Sequence, residues 1–419
     1  MTDFDAIASG DGMTPAGGRT PRIFIVAGES SGDALGAALM QGLRARLGAV
    51  DFVGVGGPAM TAAGLASLFP MSDIAVMGIG PVLARLPTIF NRIKITREAA
   101  LAARPDALVL IDSPDFCHRI AAPLRAAMPD LPIVLYVSPT VWAWRPGRAK
   151  KIAAFTDRLL ALLPFEPAAH AVLGGPPTTY VGHPFIEKRD LVRPATPRTA
   201  PLGAGRRPRI VVLPGSRTGE IRRLMAPFGA ALGLLRDRIG PFDLTLPAVD
   251  HVRPAIEAAV AGWPVAPTLV AGEAAKFEAF RTADAALAAS GTVTLELALA
   301  GLPTVAAYKL DALGRVVKRF LDIPEPVRPL LKVRSAILPN LIVGEKAVPE
   351  FIDEDCTPEN LAGALAALLR DSPERRAQID AFARLEAVMA LPGGRSPSDV
   401  AAEAVVATMA QRRNLLPKP

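Results

Sequence analysis

The sequence predicts an α/β protein made of two domains, each built around a parallel β-sheet. Short apolar runs alternate with stretches of helical periodicity along most of the 419 residues, a pattern that is typical of βαβ units. A segment rich in Pro and Arg, 187–209, interrupts this alternation, which then resumes. Because a chain of this length is expected to form two or three domains, we interpret 187–209 as a linker between two sheets.

The first domain is predicted over 21–186, after a tail of residues 1–20. Residues 1–18 contain three Asp and no Lys or Arg, which is the opposite of a secretory signal, and we expect the tail to be disordered. A helix is predicted after the turn Gly28–Asp33 and extends to about Leu47. The predicted strands are short and apolar, as expected for strands buried on both faces: 22–27, 51–55, 107–112, 133–138, 158–163 and 179–181.

The second domain is predicted over 210–370 and is followed by C-terminal helices in 371–419. Three late helices are each expected to begin at a Ser/Thr-Pro pair, because a hydroxyl at the N-cap and Pro at the next position favour helix initiation. These pairs are Thr357-Pro358, Ser372-Pro373 and Ser396-Pro397. The predicted strands of this domain are 210–213, 244–246, 268–270, 285–288 and 304–308.

Composition excludes several classes of protein. Half of the residues are hydrophobic, which excludes general disorder. The net charge of +7 permits an anionic partner without requiring one. Cys117 and Cys356 have no partner at metal-ligand spacing, so neither a disulfide framework nor a structural zinc site is predicted. The longest uncharged stretch, 52–72, contains several Gly and Pro residues, and no transmembrane helix is therefore predicted.

The first polar motif, Gly28 to Asp33, joins a predicted strand to a predicted helix. Glycines in such a turn allow a ligand to approach the backbone, but Glu29 and Asp33 disfavour a phosphate there. Two interpretations remain open: the carboxylates bind sugar hydroxyls, or the motif is a tight turn in which Asp33 favours the helix dipole. A dinucleotide-binding fingerprint is absent, because its glycine spacing and its acidic residue are missing.

Two carboxylates follow the strand 107–112. Asp112 lies at the carboxyl end of a predicted parallel strand, where ligands of α/β sheets bind, and we interpret it as a candidate general base. Asp115 is a weaker candidate. The alternative is that both residues only organise the turn before Pro114.

An aromatic and basic segment, 137–151, follows the next strand. Trp142 and Trp144 lie close to Arg145, Arg148, Lys150 and Lys151. Stacking on single-stranded nucleic acid would need aromatic and basic residues. The segment is short and no RNA-binding motif accompanies it, so we favour packing and predict no nucleic-acid partner.

Two loops of the second domain have the composition of anion-binding loops. The loop 213–220 combines small residues, a hydroxyl and Arg217 after a strand. In 289–296, Ser290, Gly291 and Thr292 precede a helix whose N-terminus favours an anion. Glu296 lies one helical turn further. Each loop alone also fits an ordinary turn or N-cap, but two in one domain favour a phosphate-containing ligand.

A basic and apolar segment, 77–97, suits either an interfacial helix on anionic lipid or a core-facing amphipathic helix. The stretch 313–334 has a similar composition.

Taken in order, eleven sequence blocks closely resemble the lipid-A-disaccharide synthase family of glycosyltransferases. The blocks cover nearly all of the chain after the tail, and the departures, such as Phe185 after His183-Pro184, affect no residue to which we assign chemistry. They are VAGESSGD (26–33), VGVGGPAM (53–60), VMGIGPVL (76–83), IDSPDF (111–116), YVSPTVWAWR (136–145), LLPFE (162–166), VGHPF (181–185), LPGSRTGEI (213–221), ASGTVTLE (289–296), LPNLI (338–342) and PEFIDEDCTPENLA (349–362).

The resemblance implies a GT-B fold, in which two Rossmann-like domains face a cleft and the last helices pack back on the first domain. It implies an inverting reaction without metal or cofactor, in which UDP-2,3-diacylglucosamine and 2,3-diacylglucosamine 1-phosphate (lipid X) give a β-1,6-linked disaccharide 1-phosphate and UDP. It also implies peripheral attachment to the cytoplasmic face of the inner membrane of a Gram-negative cell, and the composition of 77–97 makes this segment the expected contact. We expect a monomer or a homodimer.

With this chemistry, each candidate residue has an expected role. Asp112 would act as the base, Arg217 would stabilise the leaving diphosphate, and Asn340 would position the substrate or the transition state. Glu29 and Asp115 would contact the substrate. The UDP moiety would be bound by Gly215, Ser216, Arg217, Ser290, Gly291, Thr292 and Glu296. Two alternatives are another GT-B enzyme acting on a non-acylated UDP-sugar, and a non-enzymatic module that binds lipid or nucleotide.

Overall fold

The computed structural model describes residues 19–75, 79–196, 198, 206–310 and 323–415, with only the backbone of 79–84 and 415. Residues 1–18 of the expected disordered tail, and parts of the segments 77–97 and 313–334, lie outside the described residues. The chain forms two compact units, Met1–Pro184 with Leu391–Pro419, and Phe185–Ala390.

The described part of the first unit contains one parallel sheet of seven strands in the order β3-β2-β1-β4-β5-β6-β7. The strands are β1 (Arg22–Ala27), β2 (Asp51–Val55), β3 (Ala66–Ser67), β4 (Ala107–Ile111), β5 (Ile133–Tyr136), β6 (Arg158–Ala161) and β7 (Thr178–Tyr180). The helices are α1 (Ser30–Leu47), α2 (Pro58–Ala62), α3 (Ile79–Ala103), α4 (Pro114–Ala127), α5 (Gly147–Ala153) and α6 (Glu166–Val172).

Strand β1 is an internal strand of this sheet, between β2 and β4. Ile23 pairs with Phe52 of β2 on one side and with Ala107 of β4 on the other. Residues 23–27 are completely buried, because helices cover both faces of a parallel sheet. This explains why the strand has an uninterrupted apolar sequence.

The described residues of the second unit form a parallel sheet of six strands in the order β10-β9-β8-β11-β12-β13. This is the 3-2-1-4-5-6 order of a Rossmann fold. The strands are β8 (Arg209–Leu213), β9 (Asp243–Pro247), β10 (Thr268–Val270), β11 (Ala285–Ala289), β12 (Thr304–Tyr308) and β13 (Glu350–Ile352). The helices are α7 (Arg189–Val192), α8 (Thr218–Ile239), α9 (Arg253–Val260), α10 (Glu273–Thr282), α11 (Thr292–Leu299), α12 (Arg328–Leu331), α13 (Leu338–Val343), α14 (Pro358–Leu368) and α15 (Pro373–Met389).

The predicted helix starts near the C-terminus are confirmed. Thr357 accepts a hydrogen bond from the Asn360 amide and begins α14, and Ser372 accepts one from the Arg375 amide and begins α15. A last helix, α16 (Pro397–Leu415), begins after Ser396.

The two final helices belong to different units. Helix α16 packs against α1 of the first unit, where Ala402 and Val405 are buried. Helix α15 groups with the second unit instead, although we expected all helices of 371–419 to return to the first domain. The reason is that Gln378 of α15 donates to the Thr304 carbonyl, 3.1 Å away, and accepts from the Thr304 amide.

The described part of the predicted linker 187–209 is packed against the second unit. Arg189 and Arg193 both form ion pairs with Glu386, at 2.6 and 2.5 Å. Arg198 donates to several backbone carbonyl groups, including that of Ala283 at 3.2 Å. The Arg residues of this segment therefore attach it to the second unit. The boundary between the two units lies after Pro184, before the start of the predicted linker at 187.

Within the described ranges, no helix combines the length and the apolar character needed to cross a bilayer.

Candidate functional site

The predicted polar loops lie at the topological switch point of each sheet. The strand order reverses between β1 and β4 in the first unit and between β8 and β11 in the second. The helical connections that follow the two strands at such a point run to opposite faces of the sheet. A crevice therefore opens between them at the carboxyl ends of the strands. The loops at 28–33 and 112–115 border the first crevice, and those at 214–217 and 290–292 border the second.

Asp112 follows β4 directly and is partly exposed. Its Oδ1 accepts a hydrogen bond from the Ser113 amide at 2.8 Å, and its Oδ2 accepts one from Ser31 Oγ at 3.4 Å. Asp112 and Ser113 both have positive φ, at 55° and 43°, and non-glycine residues in this conformation are strained and concentrate at functional sites. The backbone therefore projects the Asp112 carboxylate from the end of β4, and the Ser31 hydroxyl contacts its Oδ2.

Gly28 permits the close approach of the two loops in the first crevice. A Cβ atom at this position would lie 2.2 Å from Ser113 Oγ. This glycine is therefore required for packing between the loops, apart from any contact with a ligand.

Asp33 has a structural role. It is buried, with an exposed fraction of 4%. Its carboxylate accepts hydrogen bonds from the amides of Gly57, Ala59 and Met60, at 2.8, 2.9 and 3.0 Å. The carboxylate therefore caps the start of α2, a structural role that neither of the two interpretations of Asp33 named.

Glu29 and Asp115 lie at the starts of α1 and α4, on the same edge of the sheet. Glu29 is half-buried at the N-cap of α1. Asp115 is exposed and forms an ion pair with Arg148 at 3.2 Å. Both carboxylates belong to the two loops that border the first crevice, where they could contact a substrate bound there.

A cavity of about 620 Å³ occupies the second switch point. It brings together all seven residues predicted to bind the UDP moiety. Its lining consists of Leu213, Gly215, Ser216, Arg217, Glu220, Pro247, Ala248, Val249, Asp250, Gly272, Glu273, Lys276, Ala289, Ser290, Gly291, Thr292, Val293 and Glu296.

The loop at 215–217 is organised by a residue that we did not predict, Glu220. Its buried carboxylate accepts hydrogen bonds from the amides of Ser216 and Arg217, at 3.2 and 3.3 Å. Arg217 Nη1 is 3.1 Å from Glu220 Oε1 while 63% of the Arg217 side chain remains exposed. Glu220 is the third residue of α8 after the N-cap, the position of Glu in a capping box. The N-cap is Arg217 rather than Ser or Thr, so the sequence lacks the usual signature of this motif.

The start of α11 forms the other wall of the cavity. Ser290 Oγ donates to the Ala336 carbonyl at 3.2 Å. The first turn of α11 contains no acidic residue, so the positive end of its dipole is not compensated within the helix. This wall therefore favours an anion.

Glu296 and Lys276 form an ion pair inside the cavity. Lys276 Nζ is 2.8 Å from Glu296 Oε2, and both side chains are largely buried. Lys276 comes from α10, and no local motif marks it in the sequence. It reaches the cavity because α10 begins at the carboxyl edge of the same sheet, close to β10.

Asn340 differs from the prediction. It is completely buried, and its Oδ1 accepts from the Val348 amide at 2.8 Å. Its Nδ2 donates to the Val348 carbonyl at 2.9 Å and to Ser335 Oγ at 3.1 Å. The amide therefore ties the chain around 335 to that around 348 and presents no free polar group to a ligand.

A buried polar cluster in the first unit was also missed. Ser138, Trp142, Glu166 and His170 are connected by hydrogen bonds beyond the ends of β5 and β6. Burial raises the pKa of Glu166 to about 7 and lowers that of His170 to about 4. Ser138, Trp142 and Glu166 lie in two of the blocks quoted above and His170 lies in none, and nothing local marks the four as neighbours.

The described residues contain no group of three or more His, Cys, Asp or Glu side chains arranged to hold a metal ion.

Comparison with known proteins gives consistent results. A family model described as Lipid-A-disaccharide synthetase matches residues 23–397. The lipid-A-disaccharide synthase of Bradyrhizobium diazoefficiens is 49% identical over 399 residues, which cover 94% of this chain and 99% of that protein.

Solved structures are similar at lower identity. The kitacinnamycin glycosyltransferase superposes with a TM-score of 0.57 at 16% identity, covering 93% of this chain and all of the other. A putative UDP-N-acetylglucosamine 2-epimerase from Listeria monocytogenes gives a TM-score of 0.58 at 13% identity, covering 96% and 99%. At these identities the likeness concerns the fold alone, and the predicted class of two Rossmann-like α/β units of GT-B type is confirmed.

Proposed function

The chain belongs to the lipid-A-disaccharide synthase family, and from this premise we propose that it joins UDP-2,3-diacylglucosamine to lipid X. The chain is thus a glycosyltransferase of lipid A biosynthesis. The proposed products are the β-1,6-linked disaccharide 1-phosphate and UDP. The observation that carries the donor assignment is the cavity of about 620 Å³, which combines two loop walls suited to a diphosphate.

In this proposal the second unit holds the donor. The diphosphate lies against the loop at 215–217 and the N-terminus of α11, where backbone amides and the helix dipole favour an anion. Arg217 and Lys276 supply positive charge in the same cavity. Glu296 accepts hydrogen bonds from the ribose hydroxyls while Lys276 keeps its carboxylate in place.

Asp112 is the proposed base. As the 6-hydroxyl oxygen of lipid X bonds to C1 of the donor sugar, the bond between C1 and the diphosphate oxygen breaks. The electron pair of that bond passes to UDP, and the hydroxyl proton passes to Asp112. Attack opposite the leaving group inverts the configuration at C1. General-base assistance of this kind is typically worth about 10²–10⁴-fold in rate.

The charge of departing UDP is stabilised by the cavity. Donors aimed at developing charge stabilise a transition state more than a ground state. Arg217 suits this role because its side chain is 63% exposed and its partner Glu220 leaves part of the guanidinium free. Glu29 and Asp115 would contact the sugars in the first crevice.

We also propose that the protein attaches to the cytoplasmic face of the inner membrane through the segment 77–97. Much of this segment lies in α3, which has a buried side at Ile93 and an exposed side with Phe90, exposed by 52%, and Lys94. Arg92 faces the protein, because it bonds to Asp73 at 2.7 Å. The lipid-facing surface would therefore consist of Phe90, Lys94 and their exposed neighbours.

The function is tested by incubating the protein with UDP-2,3-diacylglucosamine and lipid X in detergent. Mass spectrometry should detect the tetraacyl disaccharide 1-phosphate and UDP in equal amounts. A parallel reaction with UDP-N-acetylglucosamine should give neither product. Failure to form the disaccharide by a folded protein that still binds UDP would contradict the proposed donor and acceptor.

A further inference from the structure

The buried polar cluster of the first unit lies next to the loop that borders Asp112. We call residues 137–146, which connect β5 to α5, the Trp loop. The Asp112 amide donates to the carbonyl of Tyr136, the residue before this loop, at 2.9 Å. Just beyond the loop, Arg148 bonds to Asp115 at 3.2 Å. Both ends of the Trp loop are therefore connected to the segment that carries the proposed base.

The Trp loop is attached to α6 by side chains. Trp142, which is buried, donates from Nε1 to Glu166 Oε1 at 3.2 Å. Ser138 Oγ is 2.8 Å from His170 Nε2 and also hydrogen-bonds to Glu166. Glu166 Oε2 accepts from the Leu163 amide at 3.0 Å. One carboxyl group thus connects the loop, the start of α6 and the chain that follows β6.

The environment of Glu166 is poor in charge. The titratable groups that face it are His170 on its own helix and Tyr180 at the end of β7. Burial lowers the pKa of His170 to about 4, so the imidazole is neutral near pH 7. In the described part of the chain, no Lys or Arg forms an ion pair with Glu166, and no group hydrogen-bonds to His170 Nδ1. Burial raises the pKa of Glu166 to about 7.

Both carboxyl oxygens of Glu166 face groups that can only donate, the Trp142 indole at Oε1 and the Leu163 amide at Oε2. The Ser138 hydroxyl, in contrast, can donate or accept. Ser138 Oγ also lies 3.0 Å from the Pro139 carbonyl oxygen. Hydrogen bonds to a carboxylate are shorter and stronger than those to a neutral acid. A proton on Glu166 would remove one acceptor position and weaken at least one of these connections.

We propose that Glu166, Ser138 and His170 are positioning residues that attach the Trp loop beside Asp112. The hydrogen bonds of this attachment become stronger when Glu166 loses its proton. The inference rests on the proposed transfer reaction, since it adds a pH-dependent support for the same base. None of the three residues needs to touch the substrate.

The attachment itself is tested without any assay of activity. The indole Nε1–H resonance of Trp142, assigned with the Trp142→Phe variant, is followed in the ¹⁵N-labelled protein from pH 5.5 to 8.5. We expect a shift with a midpoint near pH 7 that is absent in Glu166→Gln. A Trp142 resonance that does not change over this range would overturn the inference.

The consequence for the reaction is tested by kcat and KM between pH 6 and pH 9. For Glu166→Gln we expect kcat at pH 8 to fall about tenfold, KM for the donor to stay within about twofold, and the inflection near pH 7 to disappear. Glu166→Asp keeps a carboxyl group and should retain an inflection. Thr408→Val removes a buried hydroxyl elsewhere in the first unit and should leave the profile unchanged.

The two proposals fail in different ways. If the wild-type protein forms disaccharide and Glu166→Gln keeps the wild-type profile, the positioning role is wrong and the proposed function stands. If the wild-type protein forms no disaccharide, the proposed function fails. The Trp142 titration then still decides whether Glu166 controls the loop. If Glu166→Gln does not fold, the wild-type titration remains decisive.

Discussion

At the scale of single residues, Asp112 is the group on which the proposed chemistry depends most. Asp112→Asn keeps the size of the side chain and an oxygen that can accept from the Ser113 amide. The protein should therefore fold, but turnover should fall about 10²–10⁴-fold because the proton acceptor is lost. Initial rates of UDP release measure this effect.

Asp380→Asn alters an exposed carboxylate on α15 and provides the control. Turnover near the wild-type level in Asp112→Asn would remove this residue as the base.

Arg217 should determine nucleotide affinity. Arg217→Ala removes a guanidinium that lines the cavity, and we expect the Kd for UDP to rise about tenfold, equivalent to ~1.4 kcal/mol. Isothermal titration calorimetry measures this change. Arg222→Ala, which removes an exposed cation from the next turn of α8, should change Kd little, and equal affinity in the two variants would exclude contact between Arg217 and the diphosphate.

The residue types that follow predicted strands were sufficient to find the candidate loops. They could not show which polar side chains are already hydrogen-bonded or ion-paired within the protein. The sequence places Asn340 in a motif, and only the structure shows that the Val348 backbone and Ser335 occupy its amide. Lys276 illustrates the converse, because it reaches Glu296 across 20 positions of sequence without any local signal.

At the scale of secondary structure, local patterns predicted most strands. Strands β1, β2, β10 and β12 have the predicted bounds, because buried parallel strands are compact apolar runs between turns. The short strands β3 and β13 were missed. They contain two and three residues, and their extended conformation depends on pairing with a longer neighbour.

The connection between α1 and α2 should contribute measurably to stability. Asp33→Ala would leave three amides at the start of α2 without their carboxylate partner, and we expect the free energy of unfolding to fall by roughly 2–4 kcal/mol. Urea denaturation measures this loss. Asp130→Ala, at an exposed position of the same unit, should have little effect, and an equally small effect of Asp33→Ala would show that water replaces the carboxylate.

The exposed side of α3 should mediate binding to anionic vesicles. Phe90→Ser combined with Lys94→Ser removes an apolar anchor and a cation, and each cation near such a surface is worth about 1 kcal/mol. The fraction that sediments with vesicles should fall at least fivefold, while activity in detergent is retained. Val388→Ser, at a similarly exposed apolar position in the second unit, is the control. Persistent vesicle binding of the α3 variant would place the lipid contact elsewhere.

At the scale of the whole molecule, the last helix completes the first unit. A chain that ends at Ser396 lacks α16, whose Ala401, Ala402, Val405 and Met409 are buried in the core beside α1. We expect the unfolding transition of the first unit to move to lower temperature or disappear. The Kd for UDP should stay within about twofold, because the cavity is formed by 213–296 of the second unit.

Calorimetric melting and UDP titration of the shortened chain measure both effects. An unchanged melting profile would mean that α16 contributes little to the core, and loss of UDP binding would mean that the second unit depends on the first.

The arrangement of α16 also constrains the order of events on the ribosome. The second unit is contiguous over Phe185–Ala390, whereas the first contains both ends of the chain. Domains generally fold as units while synthesis proceeds at about 5–20 residues per second. The second unit can therefore finish folding before α16 has been synthesised, so that the unit with the proposed UDP cavity matures before the unit that contains Asp112.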